Sequence, residues 1–357
     1  MAVNQGLSHL SDHFLMITLV LYFLAVLAFA ADFAFGKRSS AEPAEAAVPE
    51  LVTTGAAGAG AAGATAGPAQ ASAADLASVT VDSAKASGGT GRPAAASRPS
   101  LRDASFWVQA GLGLTVLGVI AHIAGVVIRG LAVHRVPWGD MYEFVIAVTC
   151  VAVLFFLGLM FRYRPYRLGL FFMAPIVIII GLAQTVIYTP AGPLVPALNS
   201  YWLAIHVTAI TLATGTYVVA AVLAVVYLFA DRHTRRVAAG LPVRNGEVFR
   251  LLPSPERLDQ FAYRTVVFAF PLWTFGIMAG AIWADEAWGR YWGWDPTETW
   301  AFITWVVYAC FLHARVTAGW RGRRAAYIQL VGFGCLLFNL LGVSLFITGL
   351  HSYAGLS

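Results

Sequence analysis

Eight apolar runs, each close to the length of a membrane span, constrain this chain more than any other feature. They lie at roughly 14–35, 106–131, 142–160, 168–188, 201–230, 265–283, 300–318 and 327–349. A helix rises ~1.5 Å per residue, so ~20 apolar residues cross a hydrocarbon layer ~30 Å thick. Lipid offers no partner to backbone N–H and C=O groups, which restricts a bundle of such runs to helices. Composition agrees, with 59% hydrophobic and 11% charged residues, where a soluble domain carries about 25% charged. The predicted fold class is all-α, a polytopic membrane helix bundle of about eight transmembrane helices, with Pro175 expected to kink the fourth. The net charge of +5 is divided among short clusters between the runs and gives no sign of a nucleic-acid partner.

The basic residues predict an orientation. With the N-terminus outside, the cytoplasmic loops hold 20 of the 23 lysines and arginines. They carry Lys37, Arg38, Lys85, Arg92, Arg98 and Arg102, then Arg162, Arg164 and Arg167. Seven arginines between Arg232 and Arg264 follow, and then Arg315, Arg321, Arg323 and Arg324. Only Arg129, Arg135 and Arg290 fall on the other side. The positive-inside rule then puts both termini outside the cytoplasm. Ala28-Phe29-Ala30 resembles a signal cleavage site, yet no basic residue precedes the first run and Lys37 and Arg38 follow it at once. Residues 1–35 therefore read as a retained anchor. Residues 36–105 are largely Ala, Gly, Ser and Pro, too poor in large apolar side chains to offset their ordering entropy, and read as a disordered cytoplasmic linker. Residues 106–357 form the remaining membrane domain. Its cysteines, with Cys150, Cys310 and Cys335 each inside an apolar run and no CxxC, predict packed, inert thiols.

An outer loop at 284–300 carries the strongest local signal. It contains Trp288-Gly289-Arg290-Tyr291-Trp292-Gly293-Trp294-Asp295-Pro296-Thr297-Glu298-Thr299-Trp300. Tryptophan is enriched at membrane interfaces in any case, so an aromatic belt is one reading. A belt needs only one or two such residues per helix end, whereas dense aromatics with glycines between them suit a large flat apolar ligand. Asp295 as N-cap, Pro296 at the first helical position and Glu298 three residues on predict a capping box that opens the seventh helix. Asp140 and Glu143 repeat that logic at the third. Arg290 is either solvated or a partner for an anionic ligand group.

Eight histidines occur. His9, His13, His134 and His233 lie in polar or terminal stretches and read as solvated. His206 sits about one and a half turns into the fifth helix, and His351 follows the eighth. The topology brings both to the side of the tryptophan loop, where neutral imidazoles form an axial pair for heme iron or hydrogen-bonded bystanders. His313 lies thirteen residues past Trp300, ~20 Å deeper along its helix, and an ionisable group within a span is a functional hypothesis by default. His122 also lies within a span, among small apolar neighbours in sequence.

With these histidines around it, the loop resembles that of the CcsA/ResC family of cytochrome c maturation. The family's WGxxWxWDPxExW motif matches Trp288 to Trp300 at every fixed position. Asp140-Met141-Tyr142-Glu143 is similar to its NLYE-type segment, Tyr201 to Val207 to its WLxIHV segment, and Gly349 to Ala354 to its HSYA-like end. Thr297 stands where a lysine is common, and Asp140 where Asn is usual. The likeness runs from about residue 106 to the end and implies heme b as cofactor. It implies that His206 and His351 are outer axial ligands and that His313 is an inner heme ligand. It places Trp288, Trp292, Trp294, Asp295 and Trp300 around the outer site. It further implies a ResB-like membrane partner and apocytochrome c, whose CxxCH thiols add to the heme vinyl groups.

No residue here reads as a general acid or nucleophile, so the chain is not expected to be an enzyme alone, and the resemblance implies the heme-handling subunit of a cytochrome c heme lyase complex. Heme delivery to a carrier protein is the nearest alternative. A b-type electron-transfer subunit would need paired intramembrane histidines, and an exporter would need buried charges along a path. The orientation is tested with reporter fusions. Fusions after residues 60 and 245 are expected to report cytoplasm and one after residue 292 the outside, and an outside signal at 60 would overturn the N-terminal topology.

Overall fold

The computed structural model of the chain describes residues 3–35, 101, 104–192, 200–243, 248–249, 252–347 and 349–351. All but residues 101, 104 and 105 of the expected linker at 36–105 lie outside the described residues. Among the described residues, eight helices are long and apolar enough to cross a membrane. They are α1 (Gln5–Phe35), α2 (Phe106–Val133), α3 (Met141–Tyr163) and α4 (Gly169–Val186), then α5 (Tyr201–Ala238), α6 (Pro255–Trp288), α7 (Pro296–Val316) and α8 (Arg323–Leu337). A short 3-10 turn, Tyr166–Leu168, leads into α4. α8 continues as a π-helical stretch, Phe338–Val343, and a last turn, Ser344–Phe346. No strand occurs among the described residues.

Several helices outrun the apolar windows. α1 begins nine residues before the expected start, α5 extends to Ala238, and α6 gains turns at both ends. Hydropathy registers only the part that lipid buries, whereas capped helix ends continue into the interface. Ser254 with Pro255 opens α6, and Gly289 in the left-handed region closes it. The added turn at the end of α6 carries Trp288. Pro175 lies within α4, and Pro271 within α6 is a second interior proline.

The helices alternate in direction, as their end contacts record. The backbone N–H of Asn4 donates to the Ala132 carbonyl, tying the start of α1 to the end of α2. Ser200 beside α5 donates to Glu286 near the end of α6 at 2.5 Å. At the opposite end Arg315 pairs with Asp259 at 2.7 Å, joining the end of α7 to the start of α6. Asp32 there receives the Ser105 hydroxyl and pairs with Arg167. The bundle thus has a tryptophan-loop end and a basic end. Outward faces stay apolar, with Ile120, Ile178 and Met278 all exposed, as lipid contact requires. Inside, one apolar cluster joins α1 to α5 around Phe156 stacked on Phe172 at 4.0 Å. A second joins α5 to α8 around Tyr217 stacked on Tyr308, also at 4.0 Å. Of the three cysteines only Cys150 is buried. Cys310 is exposed on α7, which corrects the expectation that all three are packed.

A fully buried ion pair organises the tryptophan-loop end of α1 to α4. Arg129 donates to Glu143 at 3.0 Å, and both side chains are inaccessible. Arg129 also pairs with Asp12 and donates to the Thr189 carbonyl. Glu143 further receives Arg135 at 2.7 Å and the Gly139 N–H at 2.7 Å. Breaking such a network by removing one partner costs about 3–5 kcal/mol, because a buried charge is stranded. Two of the three arginines that break the charge asymmetry are therefore neutralised where they stand. Asp140 caps α3 by accepting the Glu143 N–H at 2.8 Å. Burial and the adjacent Glu143 charge push its pKa up to about 6. The stability it contributes is complete below about pH 4 and is lost as pH rises through 6. Asp140→Asn keeps a capping oxygen without the charge. Its melting temperature in detergent is expected to exceed that of the parent by a gap that opens between pH 4 and 6 and stays constant above. Equal values at pH 7.5 would contradict this reading.

Candidate functional site

His206 projects from the second turn of α5 toward α6. Its Nδ1 lies 2.7 Å from the Gly276 carbonyl. A carbonyl can only accept, so Nδ1 carries the proton and, in the neutral ring, Nε2 carries the lone pair. One turn on, Gly280 forms the floor beneath the imidazole. A Cβ there would lie 2.6 Å from the ring, so any side chain at 280 would expel it. Glycines four apart are what allow α5 and α6 to approach this closely.

His351 follows α8 in a non-helical segment and is held in the same way. Its Nδ1 lies 2.8 Å from the Asp295 carboxylate, whose other oxygen receives the Leu350 N–H at 2.7 Å. Asp295 is also the N-cap of α7, accepting the Thr297 N–H at 3.2 Å. Burial pushes the Asp295 pKa up, but the hydrogen bonds from His351 and the two backbone N–H groups outweigh it and hold the carboxyl below its usual 3.8. Asp295 is therefore an anion at neutral pH, and His351 donates to it from Nδ1. As with His206, the neutral ring then carries its lone pair on Nε2.

Both imidazoles border one indole, that of Trp283. His206 lies nearly parallel to it at 6.2 Å between centroids, and His351 meets it edge-on at 6.0 Å. Trp288, one turn on, packs against Trp283 at 4.8 Å and against His351 at 5.2 Å. Trp283 is buried, and its Nε1 has no hydrogen-bond partner among the described residues. It lies inside the sixth apolar run, where one more large apolar residue is unremarkable. Its position on the face of α6 that carries Gly276 and Gly280 is the only signal that sequence offers.

The loop's other tryptophans face elsewhere. Trp292 packs edge-on against Trp294 at 5.8 Å and Phe302 at 6.4 Å, and Phe302 stacks on Trp305 below. Trp300 turns to Phe338 of α8 at 4.3 Å. Trp294 is 67% exposed and has a φ of 56°, a conformation that bulky residues rarely adopt. The Glu298 carboxylate clamps it from both sides, accepting from Gly293 N–H at 2.9 Å and Asp295 N–H at 3.1 Å. The capping box read from sequence is present, and it also fixes this exposed ring. Arg290 folds across Gly293, occupying the space a side chain there would need.

The remaining histidines are dispersed. His313 lies in the last turn of α7, exposed and toward the basic end, remote from His206 and His351. His122 is wholly buried, with its Nδ1 3.4 Å from the Tyr22 hydroxyl of α1. His9, His13 and His134 are exposed, while His233 is half-buried against Phe249 at 5.0 Å. Sequence thus groups eight site residues, of which the structure gathers His206, His351, Trp288 and Asp295 about Trp283.

Comparison with known proteins places the chain in a family. The family model described as cytochrome C assembly protein matches residues 138–351, which contain every element of the site. The cytochrome c biogenesis protein CcsA of Guillardia theta is 38% identical over 269 residues, covering 69% of this chain and 86% of its own. That of Synechococcus elongatus is 40% identical over 198 residues, covering 46% of this chain and 61% of its own. Among solved structures, a cytochrome c heme lyase CcmF superposes with a TM-score of 0.56 at 14% identity. The match covers 95% of this chain but 47% of the lyase, so the likeness is one of fold. Eight apolar helices among the described residues, a match running from just before α3 to His351 and relatives at this identity lead to one assignment: the chain is a multi-pass membrane protein of the CcsA family of cytochrome c biogenesis proteins.

Proposed function

We propose that this protein holds heme b at its tryptophan-loop end, on the extracytoplasmic side, and presents it for covalent attachment to apocytochrome c. Its family membership makes cytochrome c maturation the process it serves. The observation that carries the finer reading is the matched state of the two histidines. Each has Nδ1 tied to an acceptor, a carbonyl for His206 and a carboxylate for His351. An acceptor on one ring nitrogen fixes the tautomer and orientation that suit metal ligation by the other. Heme, as the substrate, supplies the iron for such ligation and the vinyl groups that receive the acceptor's cysteine thiols.

The chain's own residues bind, orient and shield. Trp283 and Trp288 line the histidines and keep water from them. Trp292 and Trp294 offer further ring faces, with Trp294 held outward by Glu298. No side chain at the site is placed as a nucleophile or proton donor to a vinyl carbon. Any rate gain therefore comes from holding the reacting groups together, the usual yield of orientation. His313 belongs to a second, inner site. Its imidazole has no hydrogen-bond partner among the described residues and is exposed, so those residues do not enclose it. A ResB-like membrane protein packed on that face of α7 would complete the inner site.

His206→Gly and His351→Gly are each expected to abolish formation of holocytochrome c in cells, with added imidazole restoring part of it. Full activity of both variants would remove the axial-ligand reading. Holocytochrome c normal in amount only when a separate heme carrier is present would favour delivery to that carrier instead.

His313→Ala is expected to yield protein that purifies with little heme although the outer pair is intact. His206→Gly should instead retain some heme with a shifted absorption spectrum. Heme per purified protein is the quantity to measure, and an unchanged ratio in His313→Ala would rule out the inner site.

A further inference from the structure

At the basic end of the bundle, a cavity of about 560 Å³ opens between α5 and α8, within the ~300–1,000 Å³ range of small-molecule sites. It takes no part in the histidine site. Its inner wall is apolar, formed by Val225, Leu228 and Phe229 of α5. Its rim is basic, formed by Arg232, Arg235 and Arg236 of α5 and Arg323 of α8. One carboxylate, Asp231, stands among them and is shared by Arg235 at 2.9 Å and Arg323 at 3.9 Å. Arg236 donates to the Pro242 carbonyl at 2.9 Å. Arg232 is exposed and makes no hydrogen bond or ion pair among the described residues. Four arginines against one carboxylate leave an excess of positive charge over an apolar floor.

Depth along α5 decides what such a groove meets. Arg232 lies 26 residues beyond His206, ~39 Å along the helix, whereas the hydrocarbon layer is ~30 Å thick. The rim therefore stands at headgroup level, while Val225, Leu228 and Phe229, lower on the same helix, stand beside acyl chains. We infer that this groove binds the headgroup of an anionic phospholipid from the leaflet at the basic end. The phosphate would rest on Arg232 and its neighbours, with an acyl chain along Val225, Leu228 and Phe229. A free phosphate has no use for the apolar wall, and a zwitterionic lipid has less use for the excess charge.

Native mass spectrometry of the full chain in mild detergent tests this, with phosphatidylglycerol and phosphatidylcholine titrated separately. Phosphatidylglycerol is expected to bind more tightly. Arg232→Gln combined with Arg236→Gln should weaken it about 30-fold, from the contribution of each arginine near a membrane surface. Arg162→Gln combined with Arg321→Gln removes as much charge outside the groove and should leave binding unchanged. Thermal unfolding of both double variants establishes that each is folded. Three results would overturn the inference. The first is equal binding by the groove variant, and the second is equal loss in the control variant. The third is displacement of the lipid by inorganic phosphate or hemin at matching concentration, which would assign the groove to that anion.

Discussion

The carboxylate of Asp295 joins three parts of the chain that sequence keeps far apart. It opens α7 as an N-cap, receives the backbone of Leu350, and takes the Nδ1 proton of His351. None of these contacts could be kept if the group were neutral and turned away. Their sum is what holds it anionic in spite of partial burial. The start of α7, the direction in which the loop leaves the membrane and the placement of the last histidine thus rest on a single charge. Glu298 supports the arrangement from one turn below, gripping the backbone on either side of Trp294.

α6 does for His206 what Asp295 does for His351. It supplies the acceptor from Gly276, the floor from Gly280, the shared indole from Trp283 and the second indole from Trp288. Gly276, Gly280 and Trp283 recur at intervals of four and three, so they lie along one face and meet α5 as a unit. The region that matches the family contains both this face and the capped loop.

Much of this was legible in the sequence, and the reasons for what was not are specific. Spans were legible because lipid imposes a length and a composition. The capping box at Asp295 and the N-cap at Asp140 were legible because they depend on local spacing alone, although Glu143 answers Gly139 and two arginines rather than the Asp140 N–H. His206 and His351 stood out as histidines at the ends of apolar runs on one side. Trp283 did not, since its role depends on what α5 and the segment after α8 bring to it. The Arg129–Glu143 pair was hidden for the same reason. Arg129 read only as one of three arginines on the outer side, and burial among several helices cannot be inferred from the neighbours of one. The tryptophans of the loop read as one platform, yet Trp300 lies a turn into α7, where helical geometry aims it at Phe338. Cys310 read as packed because apolar neighbours in sequence do not distinguish a lipid-facing side from a buried one.

The two histidines are anchored unequally, and this bears on how a bound group could ever leave. His206 belongs to a helix of 38 residues, bounded by a carbonyl and a glycine of another long helix, so moving it means moving the frame. His351 belongs to a non-helical segment, tied to the start of α7 through the Asp295 carboxylate. On the proposed function the pair acts as a vice with one fixed jaw and one sliding jaw. An incoming ligand that competes for iron would dislodge His351 and leave His206 in place. Release then needs only a local rearrangement near Asp295, without any parting of the membrane helices.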